Sequence, residues 1–454
     1  MNRKWLVAHV VSIILGMGLV PCVISHAQMG GAGGGIGSGV GGGMPNVPGT
    51  EFGGTSDPSS IRVMDGLRII PSVQVSQRYD SNVFFTSKSQ LQGLTREDFV
   101  TTVIPQVRGL YTDHENLVKL NVVAGAVGSY YTNNTGLSYV GANAGMVLDM
   151  SELLSQWRPG TRWTVSDTFF YSPQPPAFLV GDQSGAPANP LVAGFQATRA
   201  NTNSNSVNTL FEFPLSMMVK LSGSYAHSFI HYGASQVPRA FPLISQEAHA
   251  YTAGLVLRAS TQDTVRTDFM GSEFDQGGFG AFSTRGGAVS WTHRLSHAIS
   301  VNTSAGAQVL SGESTGVRFS SVIAPFGGLA ILWNNPTTSL TLAYRSGITP
   351  SFQFQGAAML NHSVSINMTQ ATPIQDLVGL LGANYSVAND YGSNSGRGLS
   401  WTTVGGTAGL RYRVTQKMFL TMTYSYLNVD NVFGGQHFAY DKHIVQLGLA
   451  QAFY

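Results

Sequence analysis

Apolar and polar residues alternate with a period of two through most of the chain after residue 60, and this alternation limits the fold more than any other feature. Successive side chains of a strand point to opposite faces, so the pattern predicts strands with one apolar face and one face of small or polar residues. No stretch of 18 apolar residues follows residue 60, so nothing there predicts a membrane-spanning helix. The alternation is clearest at 119–130, 339–345, 363–368, 407–413 and 417–426.

Such alternation occurs both in soluble β-sandwiches and in transmembrane β-barrels, and three observations favour the barrel. The predicted connections alternate between tight turns and long loops, which include 173–202, 233–245 and 430–439. The polar face carries Ser, Thr, Asn and Gly, and charged residues make up only 11% of the chain, against about 25% in an ordinary soluble domain. Aromatic residues cluster at strand ends, as they do at the two interfaces of a membrane.

A bilayer cannot satisfy the free edge of a sheet, so a membrane-spanning sheet must close on itself. We therefore predict an all-β protein, a closed antiparallel transmembrane β-barrel of about 18 strands, or else 16, with short periplasmic turns and long extracellular loops. Pro105 and Pro325 fall inside predicted strands, which implies a bulge at each proline or a miscounted strand. The predicted strands are 69–81, 98–111, 117–131, 138–150, 160–172, 203–213, 217–232, 246–259, 263–274, 282–295, 297–310, 319–333, 338–347, 359–370, 374–388, 400–414, 417–429 and 440–454.

The first 27 residues have the three parts of a secretory signal peptide. Arg3 and Lys4 are followed by the apolar stretch 5–20, and small residues precede a cleavage site after Ala27. The apolar stretch is short for an uncleaved anchor helix, and the residue before Cys22 is a proline, which disfavours a lipoprotein signal. We expect export by a Sec-type route and removal of residues 1–27.

Residues 28–60 are rich in glycine and have no apolar face, so we expect a flexible tether. The barrel is predicted to occupy residues 61–454. Cys22, the one cysteine of the chain, would leave with the signal peptide, so no disulfide is expected in the mature protein.

Charged residues that alternate with apolar positions are predicted to line the lumen, because a charge on the lipid face near mid-membrane costs about 2–4 kcal/mol. Basic residues outnumber the acidic residues Asp149, Glu212 and Asp268 at such positions. The functional interpretation is a basic wall that favours anionic solutes, and the alternative is a set of ion pairs and rim charges without selectivity. The basic candidates are Arg78, Lys119, Lys220, Arg258, Arg266, Arg294, Arg345, Arg411 and Arg413.

The sequence does not indicate an enzyme, a cofactor or a metal site. His227 and His231 lie four residues apart on one strand, which separates them by about 13 Å and is too far for one ion. They are better explained as histidines of an aromatic girdle or a loop. His293 and His297 flank a predicted tight turn and are expected to face water. Asp390 and residues 441–443 are expected to gather at the outer mouth, where catalysis is the weaker interpretation.

Two short segments resemble a known family. The first strand ends in Tyr79, Asp80, Ser81, Asn82, Val83 and Phe84, which is similar to the opening strand of outer-membrane β-barrel porins that accompany exopolysaccharide systems. The terminal Phe453 and Tyr454 resemble the aromatic end by which barrel-assembly machinery recognises its substrates. The resemblance implies a porin-like barrel, while a strand end capped by an Asx turn is the purely structural explanation of the motif.

Taken as a channel, the chain is expected to pass small hydrophilic solutes by diffusion, with a mild preference for anions. Two alternatives remain open, an export conduit for an acidic exopolysaccharide and a structural or adhesive barrel plugged by its tether. The expected partners are outer-membrane lipid and lipopolysaccharide, barrel-assembly machinery, and small solutes or polysaccharide. The net charge of +2 gives no field that would attract nucleic acid, and the sequence does not define an oligomeric state.

Overall fold

The computed structural model of the protein describes residues 61–84, 95–172, 200–235, 245–275, 280–314, 317–350, 358–391, 400–433 and 436–453. The predicted signal peptide 1–27, the predicted tether 28–60, most of loop 173–202 and Tyr454 lie outside these ranges. No helix within them is long and apolar enough to cross a bilayer.

The described chain contains nineteen strands, one short α-helix and one 3₁₀-helix, Thr135–Leu137. The α-helix, α1, is Ser151–Ser155. The strands are β1 Ile61–Met64, β2 Leu67–Asp80, β3 Asp98–Thr112, β4 Lys119–Tyr131, β5 Tyr139–Asp149, β6 Arg162–Ser172, β7 Ala200–Pro214, β8 Val219–Ser235, β9 Gln246–Arg258, β10 Asp263–Asp275, β11 Gly280–Arg294, β12 Ile299–Ser314, β13 Val317–Asn334, β14 Thr338–Pro350, β15 Ala358–Ala371, β16 Leu377–Asp390, β17 Ser400–Thr415, β18 Met418–Phe433 and β19 Gln436–Ala452.

Strands β2 to β19 form a closed antiparallel barrel of 18 strands, which confirms the predicted fold and the larger of the two strand counts. Each strand pairs with its neighbours in sequence. The last strand, β19, pairs with β2 from Ile444 opposite Asp80 to Ala452 opposite Ser72, so no edge of the sheet is left open. The short strand β1 adds to β2 outside this ring.

All 18 barrel strands lie where they were predicted, but several extend further than the alternation suggested. The expected long loop 430–439 is mostly strand, because β18 runs to Phe433 and β19 begins at Gln436. Beyond the apolar band both faces of a strand can be polar, so the alternation stops although the hydrogen-bond ladder continues. β1 and α1 were not predicted either, since each is too short to show a period.

The two prolines do not cause the bulges that we considered. The register between β3 and β4 is the same on both sides of Pro105, and β12 pairs continuously past Pro325. Each proline lies where one of the two ladders of its strand is interrupted. Ile104 and Pro105 of β3 make no bridge to β4. Pro325 of β13 lies outside the ladder with β14, which begins at Gly327. Proline can therefore stay in these strands without removing a hydrogen bond.

The outward row of the barrel is apolar and is bounded by aromatic residues. On β19 it presents Val445, Leu447 and Leu449, all strongly exposed. At the end that carries the turns 215–218, 259–262 and 295–298, here called the short-turn end, Trp291 Nε1 donates to Asp263 Oδ1 at 2.9 Å. An amphipathic ring bonded to a polar group fits the interface between lipid and water.

Tyrosine and histidine form a repeated pair on the outward row in the half of the barrel that carries the longer connections, the long-loop end. In each pair the tyrosine lies on one strand and the histidine on the next. The histidine comes two residues before the residue that lies directly opposite the tyrosine in the ladder. The outward residues of these strands nearer the short-turn end are mainly apolar. The oxygen of the tyrosine and Nδ1 of the histidine are 2.8 Å apart in Tyr225–His249, 3.0 Å in Tyr344–His362 and 2.9 Å in Tyr424–His443.

The inward row is less uniformly polar than the sequence suggested. Val100, Ile104, Val123 and Val127 point inward on β3 and β4 and are buried. Apolar side chains also meet on the inner wall of β10 to β12, where the rings of Phe274 and Phe282 stack with centroids 4.6 Å apart. The expectation of a wholly small and polar inner face is therefore wrong for these strands. Cross-strand apolar pairs stabilise a sheet by about 0.2–1 kcal/mol each, whichever face they occupy.

Candidate functional site

The inner wall at the short-turn end carries a ring of basic residues, here called the basic collar. Each member lies on the inward row and near the short-turn end of its strand: Arg258 and Arg294 are the last residues of β9 and β11, and Lys119 is the first of β4. In the half of the described strands nearer the short-turn end, three acidic side chains share the inward row with them, Asp149, Glu212 and Asp268. The collar comprises Arg68, Arg108, Lys119, Arg162, Lys220, Arg258, Arg266, Arg294, Arg411 and Arg413.

Some of the collar charges are neutralised within the wall. Lys220 Nζ lies 3.1 Å from Glu212 Oε2, and Arg266 Nε donates to Asp268 Oδ2 at 2.6 Å. Arg413 pairs with Asp376 in the turn before β16. Ion pairs therefore account for these three basic residues.

Other collar charges remain uncompensated. Arg258 and Arg294 have no carboxylate within ion-pair distance in the described part of the chain, and both are exposed. The collar thus keeps a net positive charge, which faces the mouth of the barrel at its short-turn end.

Seven of the nine predicted basic residues belong to the collar, while Arg78 and Arg345 lie further toward the long-loop end. Three collar members were not predicted. Arg68 precedes the predicted start of its strand, and Arg162 is the first residue of β6. Arg108 is followed on the same inward row by the apolar Leu110, which hides the alternation there.

The Tyr79–Phe84 motif closes the barrel. Asp80 and Lys442 face inward from β2 and β19, the first and last barrel strands, and their side chains are buried. Lys442 Nζ donates to Asp80 Oδ2 at 2.8 Å and to the carbonyl oxygen of Asn82 at 3.0 Å. Arg78 approaches the same carboxylate, with Nη2 3.7 Å from Oδ2. One buried carboxylate thus lies between two cations at the seam of the sheet.

The rest of the motif turns inward after the strand ends. Asp80 Oδ1 accepts the Asn82 N–H at 3.0 Å, which is the bond of an Asx turn. Asn82 Nδ2 donates to the carbonyl oxygen of Asp441 at 3.2 Å, a second tie to β19. Val83 and Phe84 then pack in a buried cluster with Val100 and Tyr131 from the inner wall.

The other residues singled out in the sequence do not form one site. Asp441 and His443 lie on the outward row of β19, whereas Lys442 between them points inward. His227 and His231 also point outward, away from the lumen. Phe453 is half exposed, and its N–H donates to the carbonyl oxygen of Pro71 at 2.8 Å.

His293 belongs to the outward girdle at the short-turn end. Its Nδ1 lies 2.8 Å from Asp263 Oδ1, the same oxygen that Trp291 contacts. A solvated turn histidine was expected at this position, but the side chain is only about a quarter exposed.

Comparisons with known proteins give similarity of fold alone. No family model matches the chain, and no curated protein matches it. Among solved structures, OccK2 (OpdF) of Pseudomonas aeruginosa aligns with a TM-score of 0.45 at 9% identity over 85% of this chain and 98% of that one. OccAB3 of Acinetobacter baumannii aligns with a TM-score of 0.42 at 11% identity over 85% and 99%, respectively. The outer membrane protein opdK of Pseudomonas aeruginosa aligns with a TM-score of 0.42 at 10% identity over 85% and 99%.

Proposed function

We propose that the protein is a porin-like channel of the outer membrane of a Gram-negative bacterium, through which small hydrophilic solutes diffuse with a preference for anions. The observation that carries this proposal is the net positive basic collar inside a closed barrel of 18 strands. A barrel of this strand number encloses a lumen that is wide enough for water and solutes. Basic groups that line such a lumen raise the local concentration of anions and repel cations.

The outward row supports placement in a membrane. Strongly exposed leucine, valine and tyrosine side chains cover it, whereas monomeric soluble proteins rarely expose a large contiguous apolar surface. On this proposal residues 1–27 direct Sec-type export, residues 28–60 tether the barrel, and the terminal Phe453 and Tyr454 guide insertion by the barrel-assembly machinery. The barrel then contacts outer-membrane lipid and lipopolysaccharide through its apolar row.

Ion selectivity tests the proposal. The purified barrel in a planar bilayer, under a gradient of potassium chloride, should conduct steadily and show a chloride-over-potassium permeability ratio above one. Replacing Arg258, Arg294 and Arg411 by glutamine should lower this ratio several-fold, because each removes a positive charge from the collar. Raising the salt should lower the ratio of the unaltered barrel too, since the screening length falls from about 30 Å at 0.01 M to about 3 Å at 1 M.

The control for this experiment is Arg285→Gln. Arg285 lies on the outward row, 3.5 Å from Glu273, so its replacement removes one positive charge without altering the lumen. It should leave the permeability ratio unchanged. A barrel that carries no current contradicts the channel itself, whereas a steady current whose selectivity is insensitive to the collar variants contradicts the anion preference.

A further inference from the structure

Three side chains with metal-binding atoms meet on the outward face of β8 and β9, although no local sequence pattern joins them. His227 lies opposite His249 in the ladder, and Glu247 is two residues before His249, on the same face. The three potential ligand atoms all lie within 4.8 Å of one another. His231 lies four residues from His227 on the same strand and is too far away to share an ion, whereas the pairing of β8 with β9 supplies nearer partners.

The distances between these atoms are close to those in a coordination shell. His227 Nε2 lies 3.1 Å from Glu247 Oε1, and His249 Nε2 lies 3.5 Å from the same oxygen. The two imidazole rings stack with centroids 4.6 Å apart. A tetrahedral zinc ion bound at about 2.0–2.1 Å holds its ligand atoms about 3.3 Å apart. Small side-chain rotations would therefore suffice to place all three atoms around one ion.

The orientation of His249 is set by a partner outside the cluster. Tyr225 Oη lies 2.8 Å from His249 Nδ1, which leaves Nε2 directed toward Glu247. When Nδ1 carries the proton and donates to the tyrosine oxygen, Nε2 has the lone pair that a metal needs. A hydrogen bond on the far nitrogen is the usual way in which proteins fix the tautomer of a ligating histidine.

The same tyrosine–histidine pair occurs twice more on the barrel, and this shows what is special about the first one. Among the described residues, His362 has its tyrosine partner but forms no ligand cluster with a second histidine and a carboxylate. His443 has a carboxylate, with Nε2 3.7 Å from Asp441 Oδ2, but within the same residues no second imidazole completes a cluster there. In the described chain, only the pair on β8 and β9 is joined by two further ligands.

We propose that His227, Glu247 and His249 form a binding site for one divalent transition-metal ion, of which Zn²⁺ is the representative, on the outer wall of the barrel near its long-loop end. Two imidazoles and one carboxylate suit zinc, copper or nickel and not magnesium or calcium, which prefer oxygen ligands. The three side chains are partly exposed, so an ion and a fourth ligand from solvent can reach them. The bound ion would link β8 to β9 near the long-loop end of these two strands.

Calorimetric titration of the folded, tag-free barrel in detergent tests the site. Zn²⁺ should bind at one site per barrel, and a large excess of Mg²⁺ should not displace it. Glu247→Gln and His249→Asn should each weaken binding at least tenfold, since each removes one of three ligands. Tyr225→Phe should weaken it less than either, because all three ligands remain and only the orienting bond is lost.

The matched control is His362→Asn, which removes the histidine of an equivalent tyrosine pair. It should leave zinc affinity unchanged. Glu247→Gln conserves the size of the side chain, and circular dichroism with gel mobility before and after heating would show that each variant is folded. Equal affinity in the unaltered barrel and in Glu247→Gln, or an equal loss in His362→Asn, would overturn the proposal.

Discussion

Replacing Asp80 by asparagine should destabilise the barrel by about 3–5 kcal/mol, because the change leaves two buried cations without their carboxylate. Lys442 Nζ and Arg78 Nη2 both lie within 4 Å of Asp80 Oδ2, and the lysine and aspartate side chains are at most 1% exposed. An amide cannot compensate their charge, and both cations are buried, with the Arg78 side chain 9% exposed. The substitution weakens the pairing of β19 with β2, which closes the sheet into a barrel.

Lys442→Met should cost less than Asp80→Asn, and this order distinguishes a charge effect from a loss of packing. After removal of the lysine, the remaining Arg78 and Asp80 are a neutral pair. The loss is then mainly that of the hydrogen bonds from Nζ to Asp80 and Asn82, and bonds to charged groups contribute about 1.5–3 kcal/mol. The double variant should be more stable than Asp80→Asn alone, because one buried cation has then lost the Asp80 carboxylate instead of two.

Urea unfolding of the barrel in lipid vesicles, followed by tryptophan fluorescence, measures these differences. The control is Glu212→Gln, which breaks the inward ion pair with Lys220 at the short-turn end. That pair is partly exposed to solvent, so its loss should cost less than about 1 kcal/mol. If Asp80→Asn proved no more damaging than this control, the seam would not depend on the buried charge.

The seam between β19 and β2 also shows how much of the structure could be predicted from the sequence. Alternation located all 18 strands, because one face of each strand must be apolar wherever the barrel meets lipid. It also placed Arg258, Arg294 and Arg411 on the inward row, because alternate residues of a strand point to the same face. The pairing of Asp80 with Lys442, 362 residues apart, depends on which strands become neighbours when the ring closes, and no local pattern contains that information.

The zinc-site residues illustrate the same limit on the outward face. His227 and His249 are 22 positions apart, and only the register of β8 against β9 places them opposite each other. A shift of that register by one residue would turn one histidine away from the other. The inward Val123 and Val127 depart from the expected polar inner face for a different reason. Contact with lipid requires apolar residues on the outward row, whereas the inner row can be polar or apolar according to what packs on it.

An arginine at Leu342 should destabilise the barrel by about 2–4 kcal/mol, because this position faces the lipid. Leu342 lies on the outward row of β14 between Ile331 and Ile366 of the neighbouring strands, and it is 41% exposed. Burying a guanidinium in hydrocarbon carries a cost that no neighbour on that row can offset. Urea unfolding of the inserted barrel would measure the change.

The adjacent position provides the matched comparison. Thr341 lies on the inward row, opposite Leu332 and Asn367, so an arginine there extends into the lumen. Thr341→Arg should change stability by less than about 1 kcal/mol, as a substitution on a solvated surface does. Because the two variants add the same side chain one residue apart on one strand, their difference depends on the face alone. Equal losses at the two positions would mean that the exposed apolar row does not meet lipid, and the barrel would then have to be a soluble one with that row covered by something else.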